Sequence, residues 1–375
     1  MIRIFFLVRS LGAGGAERQL VELVRALDKS RFAVTLATFY SGGALRRELD
    51  GLPGVTVLSL HKRGRWEVFP FIWRLWRAAR RVKPHIIYSS MGISNELSLL
   101  VGRAVGAKVA WSLRTSNVDF SRYSRLSLWS FRAAARLSRF PDLIVANSYA
   151  GKEYYLAHGY SGKRMIVIPN GVDTHTFRPD PEAGMRVRRE WGVAAEELLV
   201  GLVGRLDPAK GHPIFLRAAA LLMKQGCRVR FVCVGDGPQK YSAELSALAS
   251  KLGLESNLIW AGARSDMPAV YNALDIACSS SDREGMPNAI AEAMSCGVPC
   301  VVTDVGDSAR LVARPELVVP PGEPDALAAA LGRLLTLPPG ERSAIGEQAR
   351  DRVVHKYRVD RMARSTENAL LGLLR

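Results

Sequence analysis

The chain has 375 residues, of which 48% are hydrophobic and 23% charged, with a formal net charge of +17; it is too long for one comfortable core and too apolar for disorder, so two globular domains are expected. No apolar run approaches the ~18 residues of a membrane span, and the run Ile4 to Val8 is too short for a signal-peptide core, so a cytoplasmic protein starting near Met1 is expected. The five cysteines (Cys227, Cys233, Cys278, Cys296, Cys300) form no CxxC pair, which argues against a disulfide framework and for reduced, buried side chains.

Short β-branched or aliphatic runs alternate with helical patterns from the start. Strands are expected at Ile2 to Val8, Val34 to Thr38, Val55 to Leu58, Ile86 to Ser89, Val109 to Ser112, Leu143 to Ala146 and Ile166 to Ile168. The rhythm breaks across Pro169 to Glu197, which holds Pro169, Pro179 and Pro181 and reads as a connection between domains. It restarts at Leu198 to Val203, Val229 to Val234, Leu258 to Trp260, Ile276 to Cys278, Val298 to Val302 and Leu317 to Val319. The predicted fold class is α/β, with two Rossmann-like doubly wound domains at 1–170 and 171–356. The tail 357–375 reads as a helix that joins the first domain. Ligands of open α/β sheets bind beyond the carboxyl ends of the strands, so a central cleft between two such domains is the expected site.

Three loops at such strand ends carry candidate chemistry. The first contains Gly12, Gly14, Gly15, Ala16, Glu17 and Arg18 and opens a helix, where small residues let the backbone approach a phosphate or sugar. A tight turn packing helix on strand is the alternative role of those glycines. The dinucleotide fingerprint is not met, because Glu17 stands where a third glycine is required. The second loop, Gly204 to Gly211, places Arg205 and Lys210 where a fork and a point charge would neutralise a diphosphate. The chain has no Asp-x-Asp pair to hold a magnesium-bridged diphosphate, so neither a metal nor a cofactor is expected.

The third loop runs from Ser281 through Glu284, Gly285, Met286, Pro287 and Asn288 to Glu292. Pro287 fits the first position of a helix, leaving the N–H groups of Gly285, Met286 and Asn288 free to point at a ligand. Glu284 in the loop and Glu292 inside the helix could hold two separate groups of hydroxyls. Either glutamate alone would also suit a solvated position or the helix dipole.

The order and spacing of Gly14-Gly15-Ala16-Glu17-Arg18, Asn147-Ser148, Ile168-Pro169-Asn170-Gly171-Val172-Asp173, Gly204-Arg205 to Lys210-Gly211, Gly235-Asp236-Gly237-Pro238 and Glu284-x7-Glu292 resemble the retaining glycosyltransferases of family four, with the GT-B architecture. The resemblance covers nearly the whole length. It implies a metal-independent transferase that takes a UDP- or GDP-sugar, with Arg205 and Lys210 on the donor diphosphate, Glu284 and the following amides on the sugar, and Glu292 on the ribose. Many members carry a histidine near the transferred sugar after the fifth strand, where this chain has Arg114 and Asn117. Both are acceptor-side candidates that resemble a branch acting in bacterial surface polysaccharide assembly, and capping the next helix is the alternative role.

The charge is uneven. Met1 to His175 holds 27 Lys+Arg against 11 Asp+Glu, a balance of +16, which leaves +1 for the remainder. Such asymmetry points to an anionic partner for the first half, whether a lipid surface, a lipid-linked phosphate or nucleic acid. Segment 65–83 interleaves Trp66, Phe69, Phe71, Trp73 and Trp76 with Arg74, Arg77, Arg80 and Arg81, and 122–139 adds Tyr123, Trp129 and Phe131. Such helices suit an anionic membrane surface, or else bury an ordinary aromatic stripe. The expected protein moves a sugar to a lipid-linked or membrane-proximal glycan on the inner face of the membrane, without nucleic acid as a partner; a non-catalytic polyanion-binding scaffold is the alternative.

Overall fold

Strand β1, Ile2–Val8, is apolar on both faces and therefore builds two cores at once. Ile4, Phe6 and Val8 pack with Leu20, Val21 and Val24 of the helix Gly15–Ala26. Phe5 and Leu7 meet Phe71, Leu75 and Ala79 of the helix Phe69–Val82 on the other face. The structure is a computed structural model that describes residues 1–12, 14–64, 66–116 and 125–375.

Six strands follow β1 in the first sheet: β2 Phe32–Thr38, β3 Val55–Ser59, β4 Ile86–Ser90, β5 Lys108–Leu113, β6 Leu143–Ala146 and β7 Met165–Val167. Their order is β3-β2-β1-β4-β5-β6-β7, with Ile4 of β1 opposite Val34 and Ile86 in parallel register. This unit comprises Met1–Gly171 and Val359–Arg375. The helix Val359–Gly372 contributes Met362, Ala363 and Leu370 to the β1 core, and its Glu367 Oε1 accepts from the Asp28 N–H at 2.7 Å. The buried Gln19 amide pairs with both the N–H and the C=O of Gly171 at 2.9 Å. A Cβ on Gly171 would stand 2.6 Å from the Val359 Cα, so only glycine lets the final helix approach there.

The second unit, Val172–Arg358, holds β8 Leu198–Val203, β9 Val229–Val234, β10 Leu258–Gly262, β11 Ile276–Ser279, β12 Cys300–Thr303 and β13 Val318–Val319. These run parallel in the order β10-β9-β8-β11-β12-β13. The α/β class with two doubly wound sheets is thus present. The winding reverses between β8 and β11, and ligands of such sheets bind beyond the carboxyl ends at that switch.

Two local expectations need correction. The proline-containing stretch after Pro169 includes a helix, Pro181–Glu190, with Asp180 accepting from the Ala183 N–H at 3.0 Å as its cap. Pro181 at the first position is compatible with a helix because that N–H is unpaired anyway. Strand β12 begins at Cys300 rather than Val298, since Pro299 has no N–H to donate to the ladder. The five cysteines are unpaired, four of them buried and Cys227 half-buried. Among the described residues, no helix is long and apolar enough to cross a membrane.

Candidate active site

The loops after β8 and β11 lie side by side because their strands are neighbours. Their backbones are joined by the Asp282 N–H donating to the Ala209 carbonyl at 2.9 Å. Asp207 accepts from the Ala209 N–H at 2.9 Å and starts the single turn Pro208–Lys210. That turn ends at Gly211 with φ 65°, and a Cβ there would fall 1.8 Å from the Ser280 carbonyl oxygen. A larger residue at 211 would push the two loops apart.

Lys210 is thereby aimed across to the β11 loop, where its Nζ lies 2.6 Å from Glu284 Oε1. The Ser281 hydroxyl donates to the same oxygen at 2.8 Å. The Glu284 side chain is only 11% exposed, which makes this pair far less screened than a surface ion pair. From behind, Gly306 at φ 59° presses on the loop, since a Cβ there would meet the Glu284 carbonyl oxygen at 2.3 Å. The Asp307 N–H donates to the Gly285 carbonyl at 2.8 Å, and the Gly285 and Met286 N–H groups donate to no acceptor among the described residues.

The helix that follows is Asn288–Ser295, one residue later than expected, with Pro287 in an extended conformation as its cap. Asn288 opens this helix and Glu292 lies a turn further in, near its middle. Glu292 Oε2 accepts from the Tyr271 hydroxyl at 2.8 Å. Burial, reinforced by the Glu292 charge, pushes the Tyr271 phenol well above its usual pKa, so Tyr271 stays a donor. Lys210, Glu284, Tyr271, Pro287 and Asn288 all line one small cavity of about 30 Å³, which holds no more than about one water.

Arg205 is brought to the same loop but not to the same cluster. Its side chain is 75% exposed, with only a 4.0 Å approach to Asp207. His212 follows Gly211 and is wholly buried, with neither ring nitrogen partnered among the described residues. Burial, then the Lys210 charge, lowers its pKa to about 4, so it is neutral. Sequence reasoning missed His212 and Tyr271, which stood in no motif, and named Ser281 only as the start of the third loop, without a role.

In the first unit, Gly14 precedes the helix Gly15–Ala26 as its cap and Gly15 begins it. A Cβ on Gly14 would meet Glu17 Oε2 at 2.2 Å, so a carboxylate of the chain itself lies at this helix start, where the dipole favours it. Arg114 donates to Ser112 Oγ and to Asn170 Oδ1, each at 2.8 Å, which ties the end of β5 to the segment after β7. Asn117 lies outside the described residues, as do Arg65, Arg122 and Tyr123. Glu96 was not anticipated: it is largely buried in the helix Ile93–Val105, with Oε2 unpartnered among the described residues, and burial raises its pKa to about 7.

Residues 13–176 match the family model for Glycosyltransferase Family 4, and residues 197–337 match that for Glycosyl transferases group 1. The chain is 27% identical to EpsF of Bacillus subtilis over 307 residues, covering 80% of this chain and 79% of that protein. It is 33% identical over 151 residues to the UDP-Gal:alpha-D-GlcNAc-diphosphoundecaprenol alpha-1,3-galactosyltransferase of Escherichia coli, covering 40% of this chain and 39% of that one. Among solved structures, Anabaena HepE in complex with UDP and glucose superposes with a TM-score of 0.84 at 25% identity, covering 99% of both chains.

Proposed function

Since the chain is a glycosyltransferase of the family-four type built on the GT-B fold, we propose that it moves a sugar from a UDP- or GDP-sugar to a lipid-linked or membrane-proximal glycan, with retention of anomeric configuration and without a metal. The observation that carries this reading is the joining of Lys210, Glu284 and Ser281 at the strand-order switch, beside the helix that carries Glu292. In the donor complex, Lys210 and the exposed Arg205 face the diphosphate. Glu284 and the Gly285 and Met286 amides hold the sugar, and Glu292 accepts from the ribose hydroxyls with Tyr271 fixing its carboxylate.

The bond from the anomeric carbon to the diphosphate oxygen breaks, and a bond to the acceptor oxygen forms on the same face. The acceptor proton leaves with the nucleoside diphosphate. Negative charge grows on the diphosphate during this step, and preorganised cations and N–H groups stabilise it without reorganisation. Gly14 and Gly15 are donor-side contacts and Arg114 an acceptor-side positioning residue in this account. Galactosyl transfer from UDP-Gal to alpha-D-GlcNAc-diphosphoundecaprenol, by the name of the Escherichia coli relative, supports the acceptor class. The excess of +16 in Met1 to His175 supports work at an anionic inner membrane surface.

The test is to incubate the protein with a panel of UDP- and GDP-sugars, with and without a polyprenyl-diphosphate-linked sugar, and to measure nucleoside diphosphate release. Release with one donor, accelerated by the lipid-linked acceptor, is expected. No release with any donor would remove the enzymatic reading, and release indifferent to the acceptor would remove the lipid-linked one.

A further inference from the structure

The helix Phe69–Val82 carries three stripes, each with its own surroundings. Phe71, Leu75 and Ala79 are buried. Trp73, Arg77 and Arg81 face outward, with the Arg77 guanidinium 5.1 Å from the Trp73 ring. Trp76 and Arg80, continued by Lys83 at the helix cap, border a cavity of about 880 Å³ whose other walls include Arg3, Lys108 and Leu373.

The cavity lies at the amino edge of the first sheet, beside the first residues of β1 and β5 and the segment entering β4, opposite the edge that carries Gly14 and Arg114. Among the described residues, no acidic side chain lines it. Lys108 pairs with Asp142 at 3.1 Å outside the lining, whereas Arg80 and Lys83 pair with no acid among the described residues. Arg80 stacks on Trp76 at 5.1 Å, which fixes the plane of its guanidinium. Lys83 takes a left-handed conformation at φ 49°, and its carbonyl accepts from Arg3 Nε at 2.7 Å, holding the Arg3 fork in place.

His85 completes the arrangement. Its Nδ1 accepts from the Arg3 backbone N–H at 2.9 Å, so in the neutral ring the proton sits on Nε2. That nitrogen is 3.3 Å from Arg3 Nη2, which places two donors face to face. Burial and the neighbouring Arg3 charge lower the His85 pKa and keep the ring neutral. An anionic oxygen accepting from both groups relieves this opposition, and phosphate oxygens suit the fork of Arg3 and Arg80 together with the Lys83 point charge.

We propose that this cavity is a second anion site, separate from the donor loops, that takes a phosphate-bearing ligand, either a soluble oligophosphate or a phosphorylated lipid headgroup. The soluble arm is calorimetric titration of inorganic diphosphate into the full chain carrying Arg205→Ala and Lys210→Ala, so that the donor loops contribute little. The lipid arm is flotation with phosphatidylglycerol-containing against pure phosphatidylcholine vesicles. Arg80→Gln with Lys83→Gln, both exposed changes that leave the melting temperature and donor turnover in solution unchanged, lowers binding at least tenfold in one arm. Loss of diphosphate binding identifies a soluble ligand, and loss of vesicle binding alone identifies a headgroup. Equal binding of the two proteins in both arms overturns the proposal.

Discussion

Replacing Lys210 with alanine separates the catalytic from the structural meaning of the Lys210–Glu284 pair. The Nζ–Oε1 distance is 2.6 Å, and the two side chains are 28% and 11% exposed. A charge-assisted hydrogen bond in such a setting is worth about 1.5 to 3 kcal/mol. If Lys210 turns to the diphosphate as it departs, the same loss in the transition state lowers kcat/KM by roughly 10- to 150-fold, at about 1.36 kcal/mol per decade. The free protein suffers differently, because Lys210→Ala leaves the Glu284 carboxylate with the Ser281 hydroxyl and no cation. Removing both partners abolishes that orphaned charge, so the double variant Lys210→Ala/Glu284→Ala recovers stability relative to the sum of the single losses. Turnover does not recover. Denaturant melts and initial rates of nucleoside diphosphate release on the four proteins give both cycles. A kcat/KM for Lys210→Ala within twofold of the parent, or a double variant whose activity returns along with its stability, would refute the reasoning.

Activity is expected to survive excess EDTA if, as proposed, Arg205 and Lys210 take the place of a cation on the diphosphate; full loss restored by magnesium or manganese contradicts this. Stability should depend on Glu96, whose buried carboxyl is raised from 4.5 to about 7. A carboxyl pKa raised on folding gives stability that is complete below about 4.5 and lost as pH rises through 7, up to about 3 kcal/mol in all. Glu96→Gln should flatten that slope in urea melts between those pH values, and an unchanged slope rejects the assignment. Arg77→Glu with Arg81→Glu, on the outward stripe beside Trp73, should weaken binding to anionic vesicles more than to neutral ones, with salt reducing the difference by screening beyond ~8 Å. Vesicle binding equal to that of the parent would leave this stripe without a membrane role.

The alternation of apolar runs was legible because parallel strands buried on both faces are continuous in sequence, as Ile4 to Val8 are. The ends were less so: Pro299 delays β12, and the Asp180-Pro181 start of a helix was masked by the prolines around it. In the site, charge and spacing pointed to Lys210, Glu284 and Glu292. That Lys210 reaches Glu284 follows from the adjacency of β8 and β11, which no local pattern encodes. Tyr271 stands in no motif, and only the fold brings its hydroxyl to Glu292. Arg114 was legible as a polar residue in a promising loop, but its hydrogen bonds to Ser112 and Asn170, through Nε and Nη1, depend on the fold.

The most direct test of the account is calorimetric titration of UDP and GDP into the parent protein and into Glu292→Ala. Submillimolar binding of one nucleotide by the parent is expected, with a loss of at least tenfold in affinity in the variant, about 1.4 kcal/mol, and a melting temperature little changed. Failure of both nucleotides to bind the parent at millimolar concentration, or equal affinity for Glu292→Ala, would contradict it.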